Sequence, residues 1–350
     1  MGANGGWASL TGENLVRNVA VLGAGSWGTA LAIHLAGIGH DVRLWARDTE
    51  LAADMERRRA NAVYLSDVRF PASLTAGASL PETLVDAHLV LVAVPSHGLR
   101  HVLRQASAHV DPTAVVLSAT KGLEDGSLLR MSEIIQQECP RVAEVAVLSG
   151  PSFARELAQQ MPTAVVVASR GDGAVRHVQE EFRSGALRLY ASTDIVGVEL
   201  GGALKNVIAI AAGVVEGLGL GHNAQAALIT RGLVEISRLA VAAGGERETL
   251  AGLAGMGDLV LTCTGQLSRN RQVGIELARG RALDEIVAST KMVAEGVRTT
   301  RAALALGAKL GVELPIAAQV DAILAGRVSA VAAVTELMAR RQRAESDARA

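Results

Sequence analysis

The sequence predicts an α/β chain in which a doubly wound, parallel sheet occupies the N-terminal half and an all-helical region follows it. Three observations carry this expectation. Short Val-rich runs alternate with helical patterns from Asn18 to about Ala191, as parallel βαβ units do. A glycine triplet, Gly23-x-Gly25-x-x-Gly28, stands between the first of these runs and a helix of small residues. Beyond Ser192 the strand pattern stops, and apolar residues recur at spacings of three and four.

The expected strands lie at 18–22, 41–45, 88–94, 114–118, 144–148 and 163–168. The near-continuous apolar character of His88-Leu-Val-Leu-Val-Ala-Val94 is what a strand covered on both faces requires. In the second half, 222–243 sets Ile229, Leu233, Ile236, Ala240 and Ala243 on one helical face. Similar patterns recur at 297–310 and 314–324, and Pro315 falls where a first helical turn tolerates it. The expected organisation is a mobile extension at 1–16, a Rossmann-like dinucleotide-binding domain at 17–192, a helical substrate domain at 193–340 and a charged tail at 341–350.

Composition narrows the function. With 350 residues, 49% of them hydrophobic, the chain can bury a large core. Its formal net charge is -1, and its short Arg clusters form no sustained basic stripe, which argues against nucleic acid. Cys139 and Cys263 are far apart and offer neither a disulfide framework nor a zinc pattern, so no metal is expected and a reducing, cytoplasmic compartment is. The first residues lack the basic start and apolar run of a signal peptide. The longest apolar stretch considered, 207–215, ends at Glu216, short of a membrane span. No membrane insertion is expected.

The glycine triplet carries the first chemistry. Gly23 permits the tight turn, Gly25 lets backbone approach a pyrophosphate, and Gly28 allows helix to pack on strand, while the helix N-terminus offers free N–H groups to phosphate. NAD-selective sites place an acid at the end of the second strand; here Ala46 and Arg47 stand there, with Asp48 one step later. Arg47 suits a 2′-phosphate and Asp48 lies near the ribose end, so the expected cofactor is NADPH or NADH. His97, after the 88–94 strand, falls at the carboxyl edge of the sheet, either as an acid or base or as a rim residue capping the next helix.

The second chemistry is a lysine. Only four of the 34 basic residues are Lys, and Lys205 is the sole charge in the apolar run 201–215. Arginine stays protonated, whereas desolvation lowers an ammonium toward neutrality, which makes Lys205 a candidate general acid or base. A lone lysine can also lay its stem on the core and lead its amine to water. Four further segments are too polar or too glycine-rich for plain core: 119–124, 148–154, 199–206 and 255–271. They contain Lys121 and an Arg269-Asn270 pair, which suit a phosphorylated substrate.

Taken together, Gly23-Ala-Gly-Ser-Trp-Gly28, Lys121-Gly-Leu-Glu124, Ser149-Gly-Pro-Ser-Phe-Ala154, Gly201-Gly-Ala-Leu-Lys-Asn206, Gly257-Asp258, Ser268-Arg-Asn-Arg271 and Val293-Ala-Glu-Gly296 resemble the NAD(P)-dependent glycerol-3-phosphate dehydrogenases of bacterial type. The resemblance covers about 18–339. It implies reduction of dihydroxyacetone phosphate to sn-glycerol 3-phosphate, a precursor of glycerophospholipids, with Lys205 moving the proton. It implies substrate contacts at Lys121, Gly150, Ser152, Lys205, Asp258, Ser268, Arg269 and Asn270. It implies cofactor contacts at Ser26, Trp27, Lys121, Ala154, Arg269, Val293 and Glu295, which join Gly25 of the glycine turn and Arg47 at the second strand's end. Glu295 could also cap a helix starting near Val297, and Asp258 could be a helix cap after Gly257. A homodimer is expected, since helical second domains of this kind often pair. Two other readings are a β-hydroxyacid dehydrogenase, which joins similar domains, and a sensor that binds NADPH without turnover; the first is disfavoured by the Lys121 and Arg269 motifs, the second by the company Lys205 keeps.

Overall fold

The computed structural model describes residues 16–288, 294–342 and 344–345. Ten strands form among the described residues: β1 Asn18–Leu22, β2 Asp41–Trp45, β3 Ala60–Asn61, β4 Leu65–Arg69, β5 Leu74–Gly77, β6 Leu89–Val92, β7 Val115–Ser118, β8 Glu144–Ser149, β9 Thr163–Ser169 and β10 Leu187–Ser192. Eight of them make one sheet in the order β10-β9-β8-β7-β6-β1-β2-β5, while β3 and β4 pair separately. The carboxyl ends of β1, β2, β6, β7 and β8 therefore share one edge, and the strand order reverses at β1.

The sheet departs from the expected parallel winding in one place. β9 pairs antiparallel with β8, and β10 runs parallel to β9, so the last two strands point the other way. Strand direction left no mark on composition, because β9 carries the same kind of Val-rich run as the mutually parallel strands β6, β7 and β8. Four strands were not anticipated: β3, β4, β5 and β10. β4, β5 and β10 each bury one residue fully, Leu65, Leu74 and Leu187, and the rest of each is exposed or half-buried, so the apolar run that marks an inner strand is missing.

Apolar residues cover the sheet on both faces. Leu31 and Leu35 of the helix Ser26–Gly37 join one core with Val21, Leu44 and Leu91. Val102, Leu103, Ile134 and Ile135 close the other face over Ala20, Val90 and Val116. A third core fills the helical half around Leu204, Ile208, Leu239 and Val320.

The axis of that half is the helix Ile195–Gly217, 23 residues long. It extends well beyond the apolar stretch read from sequence and is long and apolar enough to cross a membrane, but 89% of its most apolar window is buried inside the protein. Its base packs with Val147 of β8 and Ala168 of β9 through Ile195 and Val198. The helix Arg269–Ala278 lies against it at backbone contact: a Cβ on Gly213 would fall 1.9 Å from the Arg271 carbonyl oxygen, and one on Gly274 would fall 2.0 Å from that of Ile210. The expected helices appear as Gly221–Ala242, Glu295–Leu310 and Pro315–Leu324.

Candidate active site

The turn between β1 and the helix Ser26–Gly37 is built as a cradle. Gly23 has φ +117, and a Cβ there would lie 2.6 Å from the Ala93 carbonyl oxygen. A side chain at Gly28 would collide with the Gly23 carbonyl at 1.9 Å. Gly25 faces open space, with nothing within 4 Å of a Cβ, and no side chain caps the helix that it precedes. The amide groups of that first turn are thus left for a ligand, and a pyrophosphate suits them in size and charge. Trp27 beside them has a buried indole N–H without a hydrogen-bond partner. These residues fit a nicotinamide dinucleotide.

On the other side of the cradle the helical half reaches in. Arg269 donates from Nη2 to Ser26 Oγ at 2.6 Å, and Ser26 Oγ donates to the Tyr64 carbonyl at 2.8 Å. Burial lowers the pKa of the Arg269 guanidinium, with a nearby anion the natural compensation. Arg269 opens its helix directly after Ser268, whose hydroxyl accepts from the Arg271 N–H at 3.3 Å and so caps the helix. Asn270 is held at both ends of its amide: Nδ2 donates to Asn206 Oδ1 at 2.9 Å, and Oδ1 accepts from the Gly296 N–H at 3.0 Å.

The candidate reacting groups meet where the Ile195–Gly217 helix passes the carboxyl ends of β7 and β8. Lys205 has 8% of its side chain exposed and Asp258 none. Lys205 Nζ donates to Asp258 Oδ1 and, at 2.7 Å, to Thr262 Oγ1. The other carboxylate oxygen, Oδ2, accepts from Lys121 Nζ at 2.5 Å, and Lys121 also lies 3.4 Å from the Gly150 carbonyl oxygen. Ser152 Oγ donates to that same carbonyl at 3.1 Å. Asp258 thus opens the helix Asp258–Thr264 without capping it; its carboxylate is spent on two ammonium groups.

Two cations around one buried carboxylate leave an excess of positive charge. Burial brings the Lys205 amine down to about 7; Asp258 opposes the shift and Lys121 adds to it. An amine in that range can give or take a proton near neutral pH, as general acid–base chemistry demands.

The remaining expected residues are more dispersed. Arg47 is exposed at the end of β2, and Asp48 caps the next helix by accepting from the Glu50 and Leu51 N–H groups at 2.9 and 3.1 Å. Ala154 is the first residue of the helix Ala154–Ala158. Glu295 starts the helix Glu295–Leu310, but its carboxylate accepts from Ser96 Oγ across the molecule at 2.8 Å rather than capping. His97 lies largely exposed in the turn after β6 and caps nothing; partial desolvation, with Arg298 and Arg47 nearby, lowers its pKa. Val293 lies outside the described residues. Sequence reasoning missed Thr262, Asn206 and Ser96. A signal existed for Thr262, which stands four residues after Asp258 and therefore on the same helical face.

A glycine cradle at the strand-order reversal, with a buried amine of tunable charge next to it, belongs to a nicotinamide-dependent oxidoreductase. The chain belongs to the NAD-dependent glycerol-3-phosphate dehydrogenase family: residues 18–174 match its N-terminal region and 194–335 its C-terminal region. It is 52% identical over 326 residues to "Glycerol-3-phosphate dehydrogenase [NAD(P)+]" of Koribacter versatilis, covering 92% of this chain and 97% of that one. The protein of the same description from Citrifermentans bemidjiense is 50% identical over 333 residues, 95% of this chain and 99% of the other. The crystal structure of glycerol-3-phosphate dehydrogenase from Coxiella burnetii superposes with a TM-score of 0.90 at 41% identity, covering 93% of this chain and 99% of that one.

Proposed function

We propose that the chain reduces dihydroxyacetone phosphate to sn-glycerol 3-phosphate, reversibly, with NADPH or NADH. The observation that carries this reading is the buried Lys205, Asp258 and Lys121 cluster, set in a member of this family within reach of the Arg269 helix. When bound, the reduced nicotinamide supplies the hydride that C2 of the substrate accepts. Lys205, protonated, aims its N–H at the C2 carbonyl oxygen and passes its proton there as charge develops. In the reverse direction the neutral amine takes that proton back. Asp258 holds the amine in line through Oδ1 and holds Lys121 through Oδ2. Lys121, Gly150 and Ser152 line the substrate on the sheet side.

Arg269, Asn270 and Ser268 are the proposed phosphate contacts. A guanidinium fork and the N-terminus of a ten-residue helix both favour a dianion. The proposed cofactor contacts are Gly25, Ser26, Trp27, Arg47, Lys121, Ala154, Arg269, Val293 and Glu295. Arg47 at the β2 end suits a 2′-phosphate, which favours acceptance of NADPH. The proposed setting is a cytoplasmic homodimer, divided near residue 192 into a cofactor domain and a substrate domain, whose product feeds glycerophospholipid synthesis.

The test is the loss of reduced-nicotinamide absorbance on adding dihydroxyacetone phosphate, run in parallel with NADPH and NADH. Rapid oxidation is expected, and the ratio of rates reports on Arg47. Binding of NADPH without oxidation would retire the reaction and turn the search to β-hydroxyacid substrates. Light scattering checks the dimer.

A further inference from the structure

The hydrogen bond between Ser96 and Glu295 joins the two halves of the chain. Ser96 is 4% exposed and stands just past β6. Its hydroxyl donates to Glu295 Oε2 at 2.8 Å, from a partner 199 positions away. Gly122, the neighbour of Lys121, presses on this contact. With φ +139, it lies so close that a Cβ there would fall 2.8 Å from Ser96 Oγ and 3.8 Å from Glu295 Oε2. The pair is therefore confined on the side of the loop that carries Lys121.

Its place in the sheet says which part of a dinucleotide it meets. Along the carboxyl edge the order is Arg47 after β2, the glycine turn after β1, Ser96 after β6 and Lys121 after β7. Arg47 marks the adenosine end and Lys121 the reacting end. Ser96 lies between the phosphate cradle and the lysines, where the nicotinamide half must pass.

We propose that Ser96 is a positioning residue for the cofactor: its hydroxyl orients the Glu295 carboxylate toward hydrogen-bond donors of the nicotinamide half, and Gly122, whose φ of +139 already favours glycine, leaves that hydroxyl the room that a side chain would take. This rests on the dehydrogenase reading above. Burial raises the Glu295 carboxyl, while Ser96 and then Arg298 pull it back and Asp125 pushes it up. The charged groups around it are Arg298 on its own helix and Asp125 in the loop after β7, 3.6 Å from Arg298; His97, next to Ser96 in sequence, is the nearby titratable group that answers to the same two residues. Loss of the Ser96 hydroxyl removes a group that favours the carboxylate, so the carboxyl then protonates at higher pH.

The experiment measures NADPH dissociation constants by nicotinamide fluorescence across the acid-to-neutral range, with full-length protein. In the unaltered protein, affinity falls as acid protonates Glu295. Ser96→Ala is expected to bind about tenfold more weakly at neutral pH, the scale of one hydrogen bond to a charged group, and to show its acid limb displaced to higher pH. Glu295→Gln loses that limb, which separates it from the titration of His97. Gly122→Ala weakens binding as Ser96→Ala does, with thermal midpoints confirming that each variant is folded. A Ser96→Ala protein with unaltered affinity and an unmoved acid limb overturns the inference. Unaltered protein that binds NADPH but reduces no dihydroxyacetone phosphate overturns the substrate reading instead, and the titration still decides the role of Ser96.

Discussion

Lys205 sits at the balance point between burial, which expels charge, and Asp258, which holds it. With its amine at about 7, the proposed role of Lys205 as proton carrier predicts that the two directions of the reaction respond to pH oppositely. Reduction needs the protonated amine, so its rate falls as pH rises through about 7; oxidation needs the neutral amine, so its rate rises through the same range. Steady-state rates in both directions across pH check this, and parallel profiles would count against Lys205 as the proton carrier. Lys205→Ala is expected to lower turnover roughly a hundredfold to ten-thousandfold while NADPH still binds, because the glycine cradle is untouched. Lys205→Arg should fail nearly as badly, since a guanidinium does not release its proton. At this scale the sequence was informative where a residue was rare for its surroundings. A lysine amid apolar helix, in a chain that otherwise writes arginine, marked itself. Thr262 did not, because a helical threonine usually spends its hydroxyl on the carbonyl four residues back, as this one also does with Asp258 at 2.6 Å.

Between helices, a carboxylate does the work that a local cap usually does. The helix Pro315–Leu324 has no side-chain cap of its own; Glu235, from the helix Gly221–Ala242, accepts from the Ile316 and Ala317 N–H groups at 2.7 and 3.4 Å. Glu235 is 4% exposed, and burial raises its carboxyl to about 7 against the pull of those two N–H groups. Glu235→Ala strands two buried donors and should cost roughly 2 kcal/mol, read as a lower midpoint in chemical denaturation. No sequence pattern could have found this cap, since donor and acceptor lie 81 residues apart. Helices were legible where a long apolar stripe repeats every three or four residues, at Gly221–Ala242, Glu295–Leu310 and Pro315–Leu324; shorter ones such as Asp258–Thr264 and Arg269–Ala278 were not placed, because too few turns show the repeat. Edge strands were the blind spot: β10 exposes Arg188, Tyr190 and Ala191, and so lacks the continuous apolar run of β6.

For the whole molecule, two buried groups give opposite pH slopes to stability. His34 is stacked near Phe182, and burial lowers it from 6.5 to about 4, against a backbone hydrogen bond at Phe182. The unfolded chain binds a proton there that the folded chain refuses, so stability drains away as pH falls from 6.5 toward 4. Glu235 keeps its proton when folded, so its contribution is lost as pH rises from 4.5 toward 7. The two terms oppose each other through the mildly acid range, and only the histidine term persists below it. Denaturation midpoints across pH should therefore fall more steeply for Glu235→Gln than for the unaltered protein, and His34→Gln should flatten or invert the slope. Identical slopes for all three would remove both assignments. The general architecture was readable from alternation, glycine spacing and the loss of strand pattern after Ser192; the reversal of β9 was not, because inner strands of either direction bury both faces alike.

That reversal also turns the Ile195–Gly217 helix into a ruler. It returns the chain to the level of Val147 and Ala168, where Ile195 and Val198 anchor the ruler's zero mark. Lys205 stands ten residues along, about 15 Å up the axis, three residues past Gly202, which meets Ser149 at the carboxyl end of β8. Inserting one residue between Val198 and Lys205 would advance the amine by about 1.5 Å and swing it by about 100°, out of reach of Asp258, with every catalytic side chain still present in the sequence.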